Sequence, residues 1–265
     1  MAGDPRRTKR ADLVKNRIIR SMSRAREAQL EPGLGIETSG ALGSVALGLG
    51  DTVCGKYDFA TPRAHAVDFL PAIARLCRFH DVAPADLAYV FLSIGPGSFT
   101  GLRIAVSVAR MIALSTHAKI VGVPTLTVIA QNANLLPQPP ATVTVLLDAK
   151  RQRVYAASFR RISGIYRCDA VPEEVDPGAF LATRPDSCPI LGEGVLAHRE
   201  VTKRSGLVVL PKDLYRARAE TVYALGLRMA KNGEIVHPRL LVPDYIRRPE
   251  AEERWEQRQA DGIAH

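Results

Sequence analysis

The chain has 265 residues, enough for one large domain or two smaller lobes with a substantial hydrophobic core. It contains no secretory signal pattern and no apolar run of membrane-spanning length, so we expect a soluble cytoplasmic protein that does not enter a membrane. Its four cysteines lack paired spacing, which is typical of reduced thiols and argues against a zinc site or a disulfide framework.

The net charge of +9 is concentrated at the start of the chain, because residues 1–31 hold nine Lys or Arg against four Asp or Glu. Three interpretations remain open: a disordered basic arm that touches RNA or an acidic protein, a targeting peptide, or a start codon assigned too far upstream, with Met22 as the alternative. The four acids argue against a transit peptide, so we expect a disordered extension or a misassigned start.

Regular patterns begin after this extension, with alternating strands and helices. The predicted strands lie at residues 34–38, 43–49, 52–58, 87–94 and 119–123, and the predicted helices at residues 64–77, 102–114 and 126–135. Three short strands before the first helix indicate a hairpin-rich start to a mixed sheet.

A glycine-rich loop joins the strand at residues 87–94 to the next helix. Gly95 and Gly97 permit positive φ angles, and Ser98 or Thr100 can cap the amides of the helix start. Such a helix start suits an anion, because its free amides and the helix dipole point the same way. The loop nevertheless lacks the lysine of a phosphate-binding P-loop and the glycine spacing of a dinucleotide site. An anion site and a purely structural turn both remain open.

The helix at residues 102–114 has almost no polar face. Its apolar residues are Leu102, Ile104, Ala105, Val106, Val108, Ala109, Met111, Ile112 and Leu114. This pattern predicts a helix that is buried nearly all round. Either the helix is enclosed within its own domain, or one side of it is covered by another chain.

The pattern of the first half then repeats. Strands are predicted at residues 142–147, 154–159, 164–171, 189–192 and 207–210, and helices at residues 177–183, 195–203 and 220–232. An acid closes the first strand of each half, Glu37 in one and Asp148 in the other. This repeat predicts an α/β, actin-like (ASKHA) fold of two ribonuclease-H-like lobes.

The expected lobes are residues 32–136 and 137–238, separated at a proline-rich segment and followed by a tail at residues 239–265. We expect the helix at residues 220–232 to pack back on the first lobe.

Six segments stand in a fixed order along the chain: GIETS at 35–39, TPRAH at 61–65, GPGSFTGLRIAVSVAR at 95–110, GVPTL at 122–126, LDAK at 147–150 with VY at 154–155, and DYIRR at 244–248. Together they resemble the TsaB (YeaZ) family of bacterial tRNA threonylcarbamoyladenosine biosynthesis. The similarity extends from Leu34 to about Trp255.

This resemblance implies a non-catalytic scaffold that binds and activates a TsaD-like transferase. That enzyme would move threonylcarbamoyl onto the adenosine next to the anticodon in ANN-reading tRNAs, so tRNA is a substrate of the complex. The resemblance implies a heterodimer formed by two helices from each chain, a homodimer through the same surface in the absence of the partner, and a TsaE-like ATPase as a further partner. The interface residues it implies are Val67, Leu70, Ile104, Val108, Met111 and Ile112.

The alternative is an actin-like phosphotransferase or ATP hydrolase that uses Glu37 and Asp148 to organise magnesium beside a nucleotide. The family more often has Asp where this chain has Glu37. The turn after Glu37 is only partly glycine-rich, and the turn at residues 150–153 has no glycine and three basic residues. The candidate residues for an anion or nucleotide site are Glu37, Thr38, Ser39, Gly95, Gly97, Ser98, Thr100, Gly101, Arg103 and Asp148. We expect no tightly bound cofactor, and at most weak ATP or ADP binding.

A metal centre is not expected. A two-metal nuclease needs several convergent carboxylates, and the strand end beside Glu37 carries Ser93 and no acid. The TsaD relatives carry an HxxxH metal pair, whereas this chain has only His65 in the equivalent helix. The peptidase label once attached to this superfamily has no nucleophile and base set to support it. Arginines of the second half could form a basic surface, although such patches are commonly just solvated.

Overall fold

The structure, a computed structural model, describes residues 31–59, 68–185, 187–204 and 206–246. The basic extension up to residue 30, the segment with His65 and Val67, and the tail from Arg247 onward lie outside the described residues.

The first lobe is built on a five-stranded mixed sheet. Its strands are β1 (Pro32–Glu37), β2 (Ser44–Leu49), β3 (Thr52–Asp58), β4 (Tyr89–Gly95) and β5 (Lys119–Pro124), arranged in the order β3-β2-β1-β4-β5. β1, β2 and β3 pair antiparallel, whereas β4 and β5 run parallel to β1. The central strands β1 and β4 are buried along most of their length, as expected for strands covered on both faces.

Helices α1 (Phe69–Phe79) and α2 (Phe99–Thr116) cover one face of this sheet, with a 3₁₀ turn at Pro84–Asp86 between them in the chain. α1 packs on β2 and β3, and α2 packs on β4 and β5. Their inward side chains share one hydrophobic core with residues of the sheet such as Leu34 and Leu92.

The second sheet also has five strands, and four of them repeat the order of the first sheet. β6 (Thr142–Lys150), β7 (Arg153–Ile162), β8 (Ile165–Cys168), β9 (Glu173–Val175) and β10 (Ile190–Leu191) form a sheet in the order β10-β6-β7-β8, with β9 pairing to β7. β6, β7 and β8 are antiparallel and β10 runs parallel to β6, as β4 does to β1. The short helix α4 (Pro177–Ala182) lies between β9 and β10 in the chain, and the short helices α5 (Glu193–Ala197) and α6 (Arg199–Arg204) follow β10.

Two helices tie the lobes together. α3 (Thr125–Gln131) leaves β5 and contacts β6, β7 and β8 of the second sheet, while α7 (Ala219–Lys231) returns to contact β1, β2 and β4 of the first. α7 fits because the sheet beneath it carries glycines: a Cβ at Gly48 would collide with the ring of Tyr223. The Tyr223 hydroxyl donates to the Gly50 carbonyl at 2.7 Å. The architecture is the actin-like arrangement of two ribonuclease-H-like lobes that the sequence predicts.

Several element predictions need correction. The strand predicted at residues 164–171 ends at Cys168, and β9 was missed. The segment at residues 207–210 forms no strand. It makes a single parallel bridge, from Val209 to Ile190, at the position where β5 pairs in the first sheet. The helix predicted at residues 195–203 is divided at His198, whose φ of −120° and ψ of 43° leave the helical region. The helix predicted at residues 126–135 ends at Gln131 and continues as a 3₁₀ turn.

Of the two alternatives for the second helix, enclosure within its own domain is wrong, and an outer side covered by another chain stays a prediction. α2 buries Leu102, Ala105 and Ala109 against its own sheet, but Met111 is 50% exposed and Leu114 is 69% exposed. Among the described residues, α2 is also the one helix with the length and composition to cross a membrane. The inward apolar residues of α2 pack into the hydrophobic core of the first lobe.

Candidate functional site

The glycine loop and the start of α2 are filled by the chain itself. Ser98 is the N-cap, and its Oγ accepts from the Gly101 amide at 3.3 Å, whereas Thr100 lies exposed in the first turn. The Ser98 amide donates to the Ser39 carbonyl at 2.7 Å, and the Thr38 hydroxyl donates to the Gly101 carbonyl at 2.8 Å. Two amides at the helix start are therefore already bonded within the protein, which favours the structural interpretation of this loop over an anion site.

Glycine is required in this loop by close backbone approach. A Cβ at Gly97 would collide with the Ser39 carbonyl, and one at Gly101 with the Thr38 carbonyl. Gly95 has a φ of +127°, and a side chain there would also meet the carbonyl of Asp244. The loop is therefore in close backbone contact with residues 38–39 on one side and with the C-terminal segment on the other.

Glu37 is fully buried at the end of β1. Its Oε1 accepts from the Ser39 amide at 2.6 Å and from the Ser39 hydroxyl at 2.5 Å, and its Oε2 accepts from the Ser93 hydroxyl of β4. Burial raises the pKa of Glu37, although the bonds from Ser39 and Ser93 oppose that shift. The carboxylate joins the ends of two strands and is enclosed by protein donors.

Asp148 lies on the second sheet and has different partners. Its Oδ2 forms an ion pair with Lys150 Nζ at 2.6 Å, and its Oδ1 accepts from the Lys150 amide at 3.0 Å. His198 Nε2 stands 4.0 Å from Oδ1. Burial of Asp148 opposes ionisation, but the contacts with Lys150 and His198 outweigh it and lower the pKa of the carboxyl. Lys150 of the basic turn therefore provides the cation that pairs with this acid.

An apolar stripe runs along the outer side of α2. Ile104 and Val108 are half-buried, and Met111 and Leu114 are exposed; together these four residues are called the α2 stripe below. The spacing of i, i+4, i+7 and i+10 places them along one side of a helix. Leu70 of α1, on the same face of the sheet, is 48% exposed. Ile112 of the predicted interface instead lies in the core, because its position on α2 faces the sheet.

The C-terminal segment lies beside α2, which the sequence did not indicate. Leu241 is buried in the first core, and its carbonyl accepts from Arg110 Nη2 at 2.5 Å. The Asp244 amide donates to the Ile94 carbonyl at 2.7 Å. The ring of Tyr245 packs 5.2 Å from that of Phe99, which Arg103 covers from 5.1 Å. Pro238 and Pro243, which lie on either side of the apolar run at residues 240–242, were a faint signal for a docked extended segment.

The part of the chain that the structure describes contains no group of three His, Cys, Asp or Glu side chains placed to hold a metal ion. His198 is buried and faces Asp148, and His80 lies against Gly55 of β3.

The chain is similar to known proteins over most of its length. The family model described as TsaD, tRNA N6-adenosine threonylcarbamoyltransferase, matches residues 60–255, which is more than half of the chain. The tRNA threonylcarbamoyladenosine biosynthesis protein TsaB of Bacillus subtilis is 29% identical over 230 residues, covering 84% of this chain and 96% of the relative. TsaB of Escherichia coli is 28% identical over 218 residues, covering 81% of this chain and 94% of the relative.

A solved structure from Pseudomonas aeruginosa, described as an uncharacterized protein with similarity to peptidase YeaZ, has a TM-score of 0.72 and 23% identity. It covers 82% of this chain and all of its own length, and at this identity it supports the fold. Together with the motifs and the two-lobed architecture, these matches assign the chain to a family. It belongs to the TsaB (YeaZ) family, whose sequences are similar enough to TsaD for the TsaD family model to match this chain.

Proposed function

We propose that this protein acts in tRNA threonylcarbamoyladenosine biosynthesis as a non-catalytic subunit that binds a TsaD-like transferase through α1 and α2. Its relatives in Bacillus subtilis and Escherichia coli carry that pathway in their names. The transferase, a TsaE-like ATPase and the tRNA substrate would be the other members of the system, which would operate in the cytoplasm. In the absence of the transferase, a second copy of the chain would use the same surface.

The observation that carries this proposal is the α2 stripe. Exposed apolar residues that recur on one side of a helix are typical of a surface that another helix covers, since leaving them in water costs free energy. Met111 and Leu70 are each about half exposed, on the two helices of the same sheet face. Between the stripe residues, Ser107 is small and exposed, so a partner helix can approach the backbone closely.

The state of the two acids supports a scaffold over the alternative of an ATP-using enzyme. A carboxylate that holds magnesium must offer free oxygen lone pairs to the ion and its waters. Both oxygens of Glu37 already accept hydrogen bonds in the protein interior. Both oxygens of Asp148 face Lys150 or His198. These contacts of the two acids support the scaffold over the nucleotide-using enzyme.

The tRNA is expected to be contacted mainly by the partner. The arginines of the second sheet are partly engaged: Arg153 pairs with Glu174 at 3.8 Å, and Arg160 pairs with Asp169 at 3.6 Å. Exposed pairs of this kind reduce the positive potential that a nucleic-acid backbone would experience.

The test is the mass of the protein by light scattering on a sizing column, alone and mixed with the TsaD-like subunit of the same organism. We expect a one-to-one complex, and we expect Met111→Asp to weaken it by about a hundredfold or more, because a charge would be buried in an apolar contact. Val171→Asp is the matched control, since Val171 is an exposed apolar residue outside the α1 and α2 surface. A complex that survives Met111→Asp, or the absence of any complex at low and moderate salt, would refute the proposal.

A further inference from the structure

The exposed side of α2 begins at the place where the described residues of the chain end. The ring of Tyr245 packs 5.2 Å from that of Phe99, the first residue of α2, and Ile246 is the last described residue. After Phe99, exposed positions recur every four residues along one side of α2, at Arg103, Ser107 and Met111. The residues that follow Ile246 therefore start at one end of this exposed side.

The same face of the first lobe is basic. α1 carries Arg75 and Arg78, α2 carries Arg103 and Arg110, and neither helix contains an acid. Within the described part of the chain, none of these four arginines forms an ion pair, and the Nε of Arg110 is buried without a hydrogen-bond partner. A surface that combines exposed apolar side chains with unpaired positive charges suits a segment that is both acidic and aromatic.

The chain itself contains such a segment shortly after Ile246. Residues 250–261, called the acidic tail below, read EAEERWEQRQAD and hold five acids against two arginines. They also hold Trp255, the single tryptophan of the protein. The acidic tail is therefore complementary to the exposed side of α2 in charge and in apolar character.

The length of chain before Trp255 is sufficient to reach the α2 stripe. Met111 lies twelve residues after Phe99, which corresponds to about 18 Å along a helix at 1.5 Å per residue. Trp255 follows Ile246 by nine residues, which span at most about 30 Å when extended. Because the acidic tail is tethered beside the stripe, its effective concentration there is on the order of millimolar, well above that of a separate protein in dilute solution.

We propose that the acidic tail folds back over the exposed side of α2, with Trp255 on the α2 stripe and the acids beside Arg103 and the two arginines of α1. Docking covers Met111 and Leu114, whose exposed apolar side chains are otherwise in water. A transferase or a second copy of the chain that uses this surface would have to displace the acidic tail. That consequence rests on the proposed function, whereas the docking itself does not.

The fluorescence of Trp255 tests the docking in the full chain without any partner, because no other tryptophan contributes to it. We expect emission at a shorter wavelength, and acrylamide quenching at least about threefold weaker, than for Trp255 in a synthetic peptide of residues 247–265. The protection should be independent of protein concentration and should decrease with added salt, which screens the attraction between acids and arginines. Quenching equal to that of the peptide would overturn the proposal, and protection that depends on protein concentration would overturn it in favour of a second copy.

Variants show which residues the acidic tail covers. Met111→Asp places a negative charge beneath the acidic tail, so quenching should rise to that of the peptide, whereas Val171→Asp should leave it unchanged. Arg103→Glu should raise quenching as well, whereas Arg228→Glu, at an exposed position of α7, should not. All four side chains are exposed, so we expect the variants to remain folded, which thermal unfolding verifies. Protection that persists in both Met111→Asp and Arg103→Glu would place Trp255 elsewhere and overturn the proposal.

Competition with the transferase is a separate measurement. Trp255→Ala should tighten the complex with the TsaD-like subunit about tenfold, because a larger fraction of the protein then has its binding surface free. Equal affinities of the two proteins would overturn the competition. The absence of any complex would refute the proposed function, while the fluorescence of Trp255 would still decide the docking.

Discussion

The buried carboxylate of Glu37 offers the sharpest test of how the first lobe is held together. Glu37→Ala removes the acceptor for the Ser39 amide, the Ser39 hydroxyl and the Ser93 hydroxyl, and it leaves a cavity at the end of β1. A hydroxyl can rotate about its C–O bond, whereas the backbone amide of Ser39 is fixed in direction and keeps no acceptor. The Ser39 amide left without an acceptor and the cavity together predict a loss of about 3–5 kcal/mol in the free energy of unfolding.

Glu37→Gln is the matched variant. The amide oxygen of Gln can accept from the Ser39 amide, and its NH₂ group can donate to the Ser93 hydroxyl, so we expect a change within about 1 kcal/mol near pH 5. Because burial raises the folded-state pKa of Glu37 above 4.5, its protonated form is favoured in the folded protein. The stability from this group is therefore complete below pH 4.5 and is lost as the pH rises through the folded-state pKa. Relative to Glu37→Gln, the wild type should become less stable as the pH increases.

Urea denaturation at a series of pH values measures the loss of stability in Glu37→Ala and the pH-dependent difference between the wild type and Glu37→Gln. Glu37→Ala within about 1 kcal/mol of the wild type would refute the reasoning, and so would a Gln variant as unstable as the Ala variant. A second readout is threonylcarbamoyladenosine formation with the partner proteins present. We expect Glu37→Gln to retain it, whereas a folded Glu37→Gln protein without activity would favour the phosphotransferase alternative.

Two further predictions concern the surroundings of α2. Gly101→Ala should cost about 3 kcal/mol or more in the free energy of unfolding, since its Cβ would collide with the Thr38 carbonyl, whereas Gly40→Ala, whose Cβ would have no neighbour nearer than 3.7 Å, should be nearly neutral. Leu241→Ala should cost about 2–4 kcal/mol because Leu241 is 2% exposed, whereas Leu240→Ala, at 72% exposure, should stay within about 0.5 kcal/mol. Denaturant unfolding measures both pairs, and equal losses within either pair would contradict the packing described here.

Local patterns in the sequence determine most of the architecture. Alternating apolar residues and turn signals locate β1 to β7 within a few residues, and the recurrence of three strands with a closing acid predicts both lobes. The glycine loop and its capping residue Ser98 are likewise readable, because a cap acts within one turn of the helix that it begins.

Tertiary structure alone decides what these elements do. An apolar helix can be enclosed or half-covered, and only the docking of α2 on its sheet leaves Met111 outside and Ile112 inside. The bond from Arg110 to Leu241 spans 131 positions in the chain, and the bond from Ser93 to Glu37 spans 56. Periodicity describes neighbours along one element and carries no information about such distant pairs. The sequence by itself therefore determined the repeated fold, while long-range packing determined that Glu37 is enclosed by Ser93, that His198 faces Asp148, and that an apolar stripe remains exposed on α2.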